Sequence, residues 1–254
     1  MRIAFFDSGI GGLTVLNEAL KQLPEENYLY FADTLHVPYG TKTMEEVLFY
    51  VTQSVERILK ENVKALVIAC NTATSIAVSE LRKSYSIPII GMEPAVKPAV
   101  EMNRTTGKRV LVFATELTLN QEKYAKLISR VDDHCIVDSL ALPELVQYCE
   151  ALNFDKHKIE DLLITKLTDF DLDNYGTIVL GCTHYPFYKD ILREIFPKHI
   201  QIVDGNVGTV NRLSQVLPGN DLHPLNGSPE IKFMCSSNDM EYIDKMKKAL
   251  QLIQ

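Results

Sequence analysis

The chain has 254 residues, of which 46% are hydrophobic and 23% charged, a composition typical of a globular protein with one large domain or two smaller ones. Its net charge is −7 and its lysines and arginines form no run, which argues against nucleic acid as a partner. No apolar stretch approaches the roughly 18 residues of a membrane span, and the N-terminus lacks the pattern of a signal peptide. The sequence therefore predicts a cytoplasmic protein that binds neither nucleic acid nor a membrane.

Short apolar runs alternate with helical patterns along the chain. The helical patterns include leucines spaced by three and four from Leu13 to Leu23, and valines spaced in the same way from Val47 to Val55. The candidate strands are continuously apolar rather than alternating, which is typical of a parallel sheet buried on both faces by helices. They lie at 2–6, 27–32, 65–69, 87–91, 109–114, 135–139, 177–181 and 200–204. The predicted fold class is α/β.

The two halves of the chain resemble one another in the order of their elements, which suggests an internal duplication. Each half opens with a strand that ends in a polar loop, and each later has a strand followed by a cysteine, Cys70 or Cys182. Two prolines interrupt the pattern at 91–99, and we place the boundary there. The predicted first domain is 1–94 completed by 208–254, with the amphipathic segment 239–253 packed against it, and the second domain is 95–207.

The five cysteines are odd in number, widely spaced and without a C-x-x-C pair, which argues against disulfides and a zinc site. We expect no metal. Cys70 and Cys182 stand apart because small polar residues follow them at strand ends, where parallel sheets bind ligands and helix N-termini attract anions. We expect the other three thiols to be small buried side chains: Cys135, Cys149 and Cys235. We expect every histidine except His184 to be solvated: His36, His134, His157, His199 and His223.

Two thiols on two matching halves suggest two acid–base groups that face one site. Inversion at the α-carbon of an amino acid needs a base on one face and an acid on the other, and the reverse reaction exchanges these roles. His184, two residues after Cys182, could act as an acid or base, activate the thiolate or ligate a metal. Three other classes stay open: a racemase of aspartate or a related acid, a binding protein without turnover, and a Cys–His hydrolase that leaves Cys70 without a role.

Five motifs carry a resemblance to a known family: "FDSGIGGLTVL", "PYGTKT", "CNTAT", "GMEPAVKPA" and "LGCTHYP". In order and spacing they resemble the bacterial glutamate racemases of the aspartate/glutamate racemase superfamily, from residue 3 to about residue 208. The resemblance implies two similar α/β domains with the active site in the cleft between them, no cofactor, and a homodimer. It also implies interconversion of L- and D-glutamate, which supplies D-glutamate for peptidoglycan.

The resemblance also implies roles for individual residues. Cys70 would deprotonate D-glutamate and Cys182 would deprotonate L-glutamate. The other implied catalytic residues are Asp7, His184 and Glu150, the last from the pattern "PELVQYCE". The implied substrate contacts are Asp7, Ser8, Tyr39, Gly40, Asn71, Thr72, Thr183 and His184.

Two local features refine the resemblance. Family members more often carry Gly at the position of Ala114, which leaves the roles of Thr115 and Thr118 open. Aspartate racemases typically carry Glu at the position of His184. The histidine found here therefore favours glutamate as the substrate.

Overall fold

Two parallel β-sheets flanked by helices form the framework of the computed structural model, which describes residues 1–217 and 229–254. The first sheet has the strand order β4-β3-β1-β2-β9, and the second has the order β6-β5-β7-β8. The strands are β1 (Arg2–Asp7), β2 (Tyr28–Ala32), β3 (Val63–Ile68), β4 (Ile89–Gly91), β5 (Arg109–Ala114), β6 (Val137–Ala141), β7 (Tyr175–Leu180), β8 (Gln201–Asp204) and β9 (Ile231–Cys235). The predicted α/β class with two parallel sheets is confirmed, and all eight predicted strands are present.

Helices connect successive strands and cover the sheets. They are α1 (Leu13–Gln22), α2 (Met44–Leu59), α3 (Asn71–Ser84), α4 (Val96–Asn103), α5 (Glu116–Leu119), α6 (Glu122–Val131), α7 (Pro143–Glu150), α8 (Lys156–Lys166), α9 (Lys189–Ile195), α10 (Asn206–Val216) and α11 (Met240–Gln251). Short 3₁₀ turns lie at Tyr39–Thr41, Leu172–Asn174 and Tyr185–Tyr188. Within the described residues, no helix is both long and apolar enough to cross a bilayer.

The two sheets repeat one topology. If the first four strands of each half are numbered from one to four, both sheets have the order 4-3-1-2, and only the first gains a further strand, β9. Both first strands also show the same irregularity near their start: the register against the third strand shifts between Arg2 and Ile3 in β1, and between Arg109 and Val110 in β5. This correspondence supports the predicted duplication.

Successive residues of the buried strands pack on opposite faces, as the pleat of a strand requires. In β1, Phe5 belongs to the largest apolar cluster, which runs from α1 through both sheets to α7 and α8. Its neighbour Phe6 belongs to a second cluster, under α2 and α3. Because the largest cluster is shared, the halves pack against one another through apolar side chains.

Several contacts bear on the domain boundaries. Helix α4 packs on β5 and β7, whereas α10 packs on α1 and β4. Helix α11 packs on α1 and β9, and β9 pairs with β2 along the outer edge of the first sheet. The division into 1–94 with 208–254, and 95–207, stays a prediction. Part of its C-terminal segment, 218–228, lies outside the described residues.

Candidate active site

The two cysteines of the strand-end motifs occupy equivalent places in the two sheets. Cys70 follows β3 and caps α3, where its sulfur accepts a hydrogen bond from the backbone N–H of Ala73 at 3.4 Å. Cys182 follows β7, the matching strand of the second sheet, two residues after Leu180. The carboxyl ends of parallel strands lie at one edge of a sheet, so each thiol lies where such folds bind their ligands.

Both thiols line a single small pocket. Nine predicted site residues line it, together with three that we did not assign: Ser8, Tyr39, Gly40, Cys70, Asn71, Thr72, Cys182, Thr183 and His184, with Pro38, Thr115 and Val146. Asp7 and Glu150 lie behind this lining.

A buried chain of polar groups extends from Cys182 away from the pocket. The Sγ atom of Cys182 lies 3.6 Å from Nδ1 of His184, and Nε2 of His184 lies 2.8 Å from Oε1 of Glu150. The same oxygen accepts a hydrogen bond from the backbone N–H of Ile10 at 2.8 Å. Burial by itself favours neutral forms here, yet the mutual contacts outweigh it and hold His184 and Glu150 in their charged forms.

The pKa values express this balance. Burial would lower the pKa of His184, but its hydrogen bonds to Cys182 and Glu150 raise that pKa well above the usual value. Burial would raise the pKa of Glu150, but the hydrogen bond and charge of His184, followed by the charge of Lys245 and the hydrogen bond of Tyr242, lower it to about 2. An imidazolium therefore faces the sulfur of Cys182, where its proton can stabilise a thiolate.

The surroundings of Cys70 differ. The Oγ atom of Ser8 lies 3.9 Å from the sulfur of Cys70. Burial raises the pKa of Cys70 far above its usual value, the negative charge of Asp7 raises it further, and the N–H of Ala73 opposes this only in part. Cys70 is therefore a protonated thiol in this structure, whereas Cys182 faces a cation.

Asp7 joins the ends of the two sheets. It is fully buried, with Oδ1 accepting from the backbone N–H of Gly9 at 2.9 Å and Oδ2 accepting from Thr183 Oγ1 at 3.0 Å. Burial raises its pKa, and the nearby charge of His184 opposes that rise. In this arrangement the carboxylate of Asp7 contacts Thr183, which lines the pocket.

The glycines of "GIGG" allow the loop after β1 to approach the second sheet closely. A Cβ atom at Gly9 would collide with the carboxylate of Glu150, and one at Gly11 would collide with Thr183 and the ring of His184. Only glycine fits at these two positions, because other site residues occupy the space that a side chain would fill.

Hydroxyl groups fix another part of the pocket wall. The hydroxyl oxygens of Thr72, Thr115 and Thr118 lie within 2.9–3.0 Å of one another. The hydroxyl of Tyr39 donates to Oδ2 of buried Asp33 at 2.6 Å. The substrate contact of Tyr39 stays a prediction. Because its hydroxyl is bound to Asp33, that contact would come from another part of Tyr39.

Two expectations about the remaining cysteines and histidines were wrong. Cys149 and Cys235 are buried as expected, but Cys135 is exposed, because it lies in a turn with φ of 53° before β6. His36 is only partly exposed, because its Nδ1 lies 2.9 Å from Asp33 and its ring stacks on Tyr50.

The other histidines and the possible metal ligands complete this comparison. His134, His157 and His199 are exposed as expected, and His223 lies outside the described residues. Across residues 1–217 and 229–254, no cluster of three or more His, Cys, Asp or Glu side chains is placed to hold a metal ion.

Comparison with known proteins shows the family. A family model described as Asp/Glu/Hydantoin racemase matches residues 12–213. A glutamate racemase of Halothermothrix orenii is 51% identical over 255 residues, which cover 100% of this chain and 99% of that protein. The chain belongs to the Asp/Glu/Hydantoin racemase family. The family resemblance of the five motifs is confirmed, and the chain is a racemase, an isomerase.

Solved structures of other family members share the fold of this racemase. A glutamate racemase of Francisella tularensis subsp. tularensis in complex with D-glutamate has a TM-score of 0.82 at 29% identity, covering 98% of this chain and 93% of that one. An Escherichia coli glutamate racemase in complex with L-glutamate and the activator UDP-MurNAc-ala has a TM-score of 0.82 at 25% identity, covering 98% and 95%.

Sequence reasoning missed two polar residues behind the pocket of this racemase. The hydroxyl of Tyr242 and the ammonium group of Lys245, both on α11, donate to Oε2 of Glu150 at 2.6 and 3.1 Å. The segment 239–253 gave only an amphipathic pattern, in which these residues resemble other polar positions. Only their place in the folded chain distinguishes them.

Proposed function

We propose that this chain interconverts L- and D-glutamate by moving the α-proton between Cys70 and Cys182. The proposal depends on one observation: both thiols line one small pocket, from equivalent strand ends of two matching sheets. Racemisation needs groups on opposite faces of the α-carbon, and two thiols can exchange the roles of acid and base. A Cys–His hydrolase would give Cys70 no such role.

In the L-to-D direction, the thiolate of Cys182 takes the α-proton and becomes a thiol. The electron pair of the broken C–H bond remains on the substrate as a carbanion, and the thiol of Cys70 donates its proton to the opposite face. One thiolate and one thiol are present before and after this step. The D-to-L direction runs the same transfers in reverse. The imidazolium of His184 beside Cys182 and the burial of Cys70 support this starting arrangement.

The pocket offers groups that match an amino acid. Oδ1 of Asn71 is buried and has no hydrogen-bond partner among the described residues, so it can accept from a substrate ammonium group. The N-terminus of α3 supplies backbone N–H groups to the same pocket, and these suit a carboxylate. No lysine or arginine of the described residues lines the pocket, and both ring nitrogens of His184 already face Cys182 and Glu150. Backbone N–H and hydroxyl groups would therefore bind the substrate carboxylates.

The relatives support glutamate as the substrate. The relative from Halothermothrix orenii is named a glutamate racemase, and the two solved structures contain D- and L-glutamate. Circular dichroism measures the loss of optical activity during racemisation. Applied separately to L-glutamate and L-aspartate, it would show which of the two is the substrate. The proposal has three further parts: the enzyme supplies D-glutamate for peptidoglycan, it is cytoplasmic, and it forms a homodimer. Light scattering after size-exclusion chromatography tests the homodimer.

Exchange of the α-proton in deuterated water tests the assignment of the two faces. We expect Cys182→Ser to lose exchange of L-glutamate far more than exchange of D-glutamate, and Cys70→Ser to show the opposite preference. Cys235→Ser is the matched control, because this thiol is equally buried but lies outside the pocket. Equal residual exchange of both enantiomers in either pocket variant would contradict the assigned faces.

A further inference from the structure

The carboxylate of Glu150 is held on both of its oxygens. Oε1 accepts from the backbone of Ile10 and faces Nε2 of His184, each at 2.8 Å. Oε2 accepts from the hydroxyl of Tyr242 at 2.6 Å and from Nζ of Lys245 at 3.1 Å. One oxygen therefore orients the histidine beside Cys182, and the other is fixed by helix α11.

We infer that Tyr242 and Lys245 are positioning residues for the reaction, which hold Glu150 so that His184 stays directed at the sulfur of Cys182. Neither residue lines the pocket, so each would act through Glu150. The inference rests on the proposed function, because it assigns them to the thiol that deprotonates L-glutamate.

The position of Glu150 explains why it needs such support. It is the last residue of α7, in the second half of the chain, and its carboxylate reaches the loop after β1 and helix α11. Helix α11 packs on α1 and on β9 of the first sheet. Donors on both oxygens constrain the position and the plane of a carboxylate more than donors on one oxygen do.

The two donors differ in what they contribute. Tyr242 is half-buried, and burial followed by the charge of Glu150 raises its pKa far above the usual value, so the hydroxyl remains a donor. Lys245 contributes a positive charge, and its ammonium lies 4.4 Å from the centre of the Tyr242 ring. Both lower the pKa of Glu150 and so keep the acceptor of His184 ionised.

Kinetic isotope effects distinguish positioning from a general loss of structure. The enantiomers have equal free energy, so the ratio of kcat/KM in the two directions cannot change, whichever thiol is impaired. Isotope effects can change separately. If Cys182 is impaired, its proton transfer becomes more rate-limiting. The deuterium isotope effect on kcat/KM should then be larger with α-deuterated L-glutamate and smaller with α-deuterated D-glutamate than in the wild type.

The experiment compares Tyr242→Phe and Lys245→Met with Lys247→Met. Lys247 lies on the same helix and also pairs with a carboxylate, that of Asp244, but it is exposed. We expect kcat/KM to fall about tenfold in the first two variants, as for loss of a hydrogen bond to a charged group, with isotope effects that diverge between enantiomers. Lys247→Met should match the wild type, and Lys245→Arg should recover most of the rate.

A second measurement does not depend on the substrate. In proton NMR of the full chain, the Nε2 proton of His184, assigned by its loss in His184→Gln, should exchange with solvent faster in Tyr242→Phe and Lys245→Met than in the wild type. Unchanged ring-proton exchange together with parallel isotope effects would overturn the inference, even if the rates fell. Absence of glutamate racemisation in the wild type would instead overturn the proposed function, and ring-proton exchange would still decide the positioning.

Discussion

Replacement of Glu150 by glutamine measures how strongly the buried network stabilises a negative charge. Four donors surround this carboxylate, from Ile10, His184, Tyr242 and Lys245. Burial raises its pKa, but the last three of these donors outweigh burial and lower the pKa from 4.5 to about 2. One pKa unit corresponds to about 1.4 kcal/mol, so the charged form is stabilised by roughly 3 kcal/mol in the folded protein. Glutamine carries no charge and turns an amide N–H group toward donors. We therefore expect a loss of about 3 kcal/mol in the free energy of unfolding at pH 6.

The pH dependence of this loss follows from the direction of the shift. Because the folded-state pKa of Glu150 is lowered, its stabilisation is complete above about pH 4.5 and is lost as the pH falls through about 2. Between pH 6 and pH 3 the wild type should lose about 2 kcal/mol from this group, and Glu150→Gln should lose none from it. His184, with a raised pKa, has the opposite dependence: its stabilisation is present below about pH 6.5 and is lost at higher pH.

Urea unfolding followed by circular dichroism at pH 6, 4.5 and 3 measures both quantities. Glu194→Gln is the matched control, because Glu194 also accepts from a lysine, Lys156, but is 63% exposed. An exposed ion pair contributes at most about 1 kcal/mol, so this control should change little. A loss below 1 kcal/mol in Glu150→Gln, or a difference from the wild type that does not shrink toward pH 3, would refute the reasoning.

Two further substitutions test the packing and the exposure of particular residues. Gly11→Ala puts a methyl group against Thr183 and His184, and a small misplacement of a catalytic group can lower kcat about 100-fold. Gly208→Ala, at a position with open space in α10, should keep kcat and stabilise the fold by about 0.5–1 kcal/mol; similar kcat values in both variants would contradict the predicted collision. Cys135 is the only exposed thiol of the five, so Ellman's reagent should modify one thiol quickly in the native protein and none in Cys135→Ser, with racemisation retained. Rapid modification that persists in Cys135→Ser would show that another thiol is accessible.

Elements with a strong local pattern could be predicted from the sequence, and β9 could not. Most of the eight predicted strands are apolar runs with few polar residues, such as "ALVI" in β3. Strand β9 reads "IKFMC", includes Lys232 and lies half-buried at the edge of its sheet beside β2. An edge strand needs little apolar surface, because one side faces no neighbouring strand. Its pairing is decided by tertiary contacts that a local pattern does not contain.

The candidate site divides in the same way. Residues that follow strand ends, such as Cys70 and His184, could be found because parallel topology brings such positions together. Tyr242 could not be found, because its partner Glu150 is 92 residues away and no spacing rule joins them. The expected burial of Cys135 was wrong for a similar reason. Cys135 has a positive φ of 53° just before β6, and a pattern of apolar residues does not reveal such a backbone conformation.

The matching strand order of the two sheets bears on how one pocket can handle both hands of a molecule. Rotation about an axis can exchange the two sides of a planar carbanion, but it never turns a left hand into a right hand. Two sheets of the same topology therefore need only place one cysteine each on the two sides of the pocket. The neighbours of each sulfur were free to diverge, and they have: one thiol is beside a cation and the other beside a serine hydroxyl. An inhibitor that mimics one enantiomer would thus meet different chemistry on its two sides.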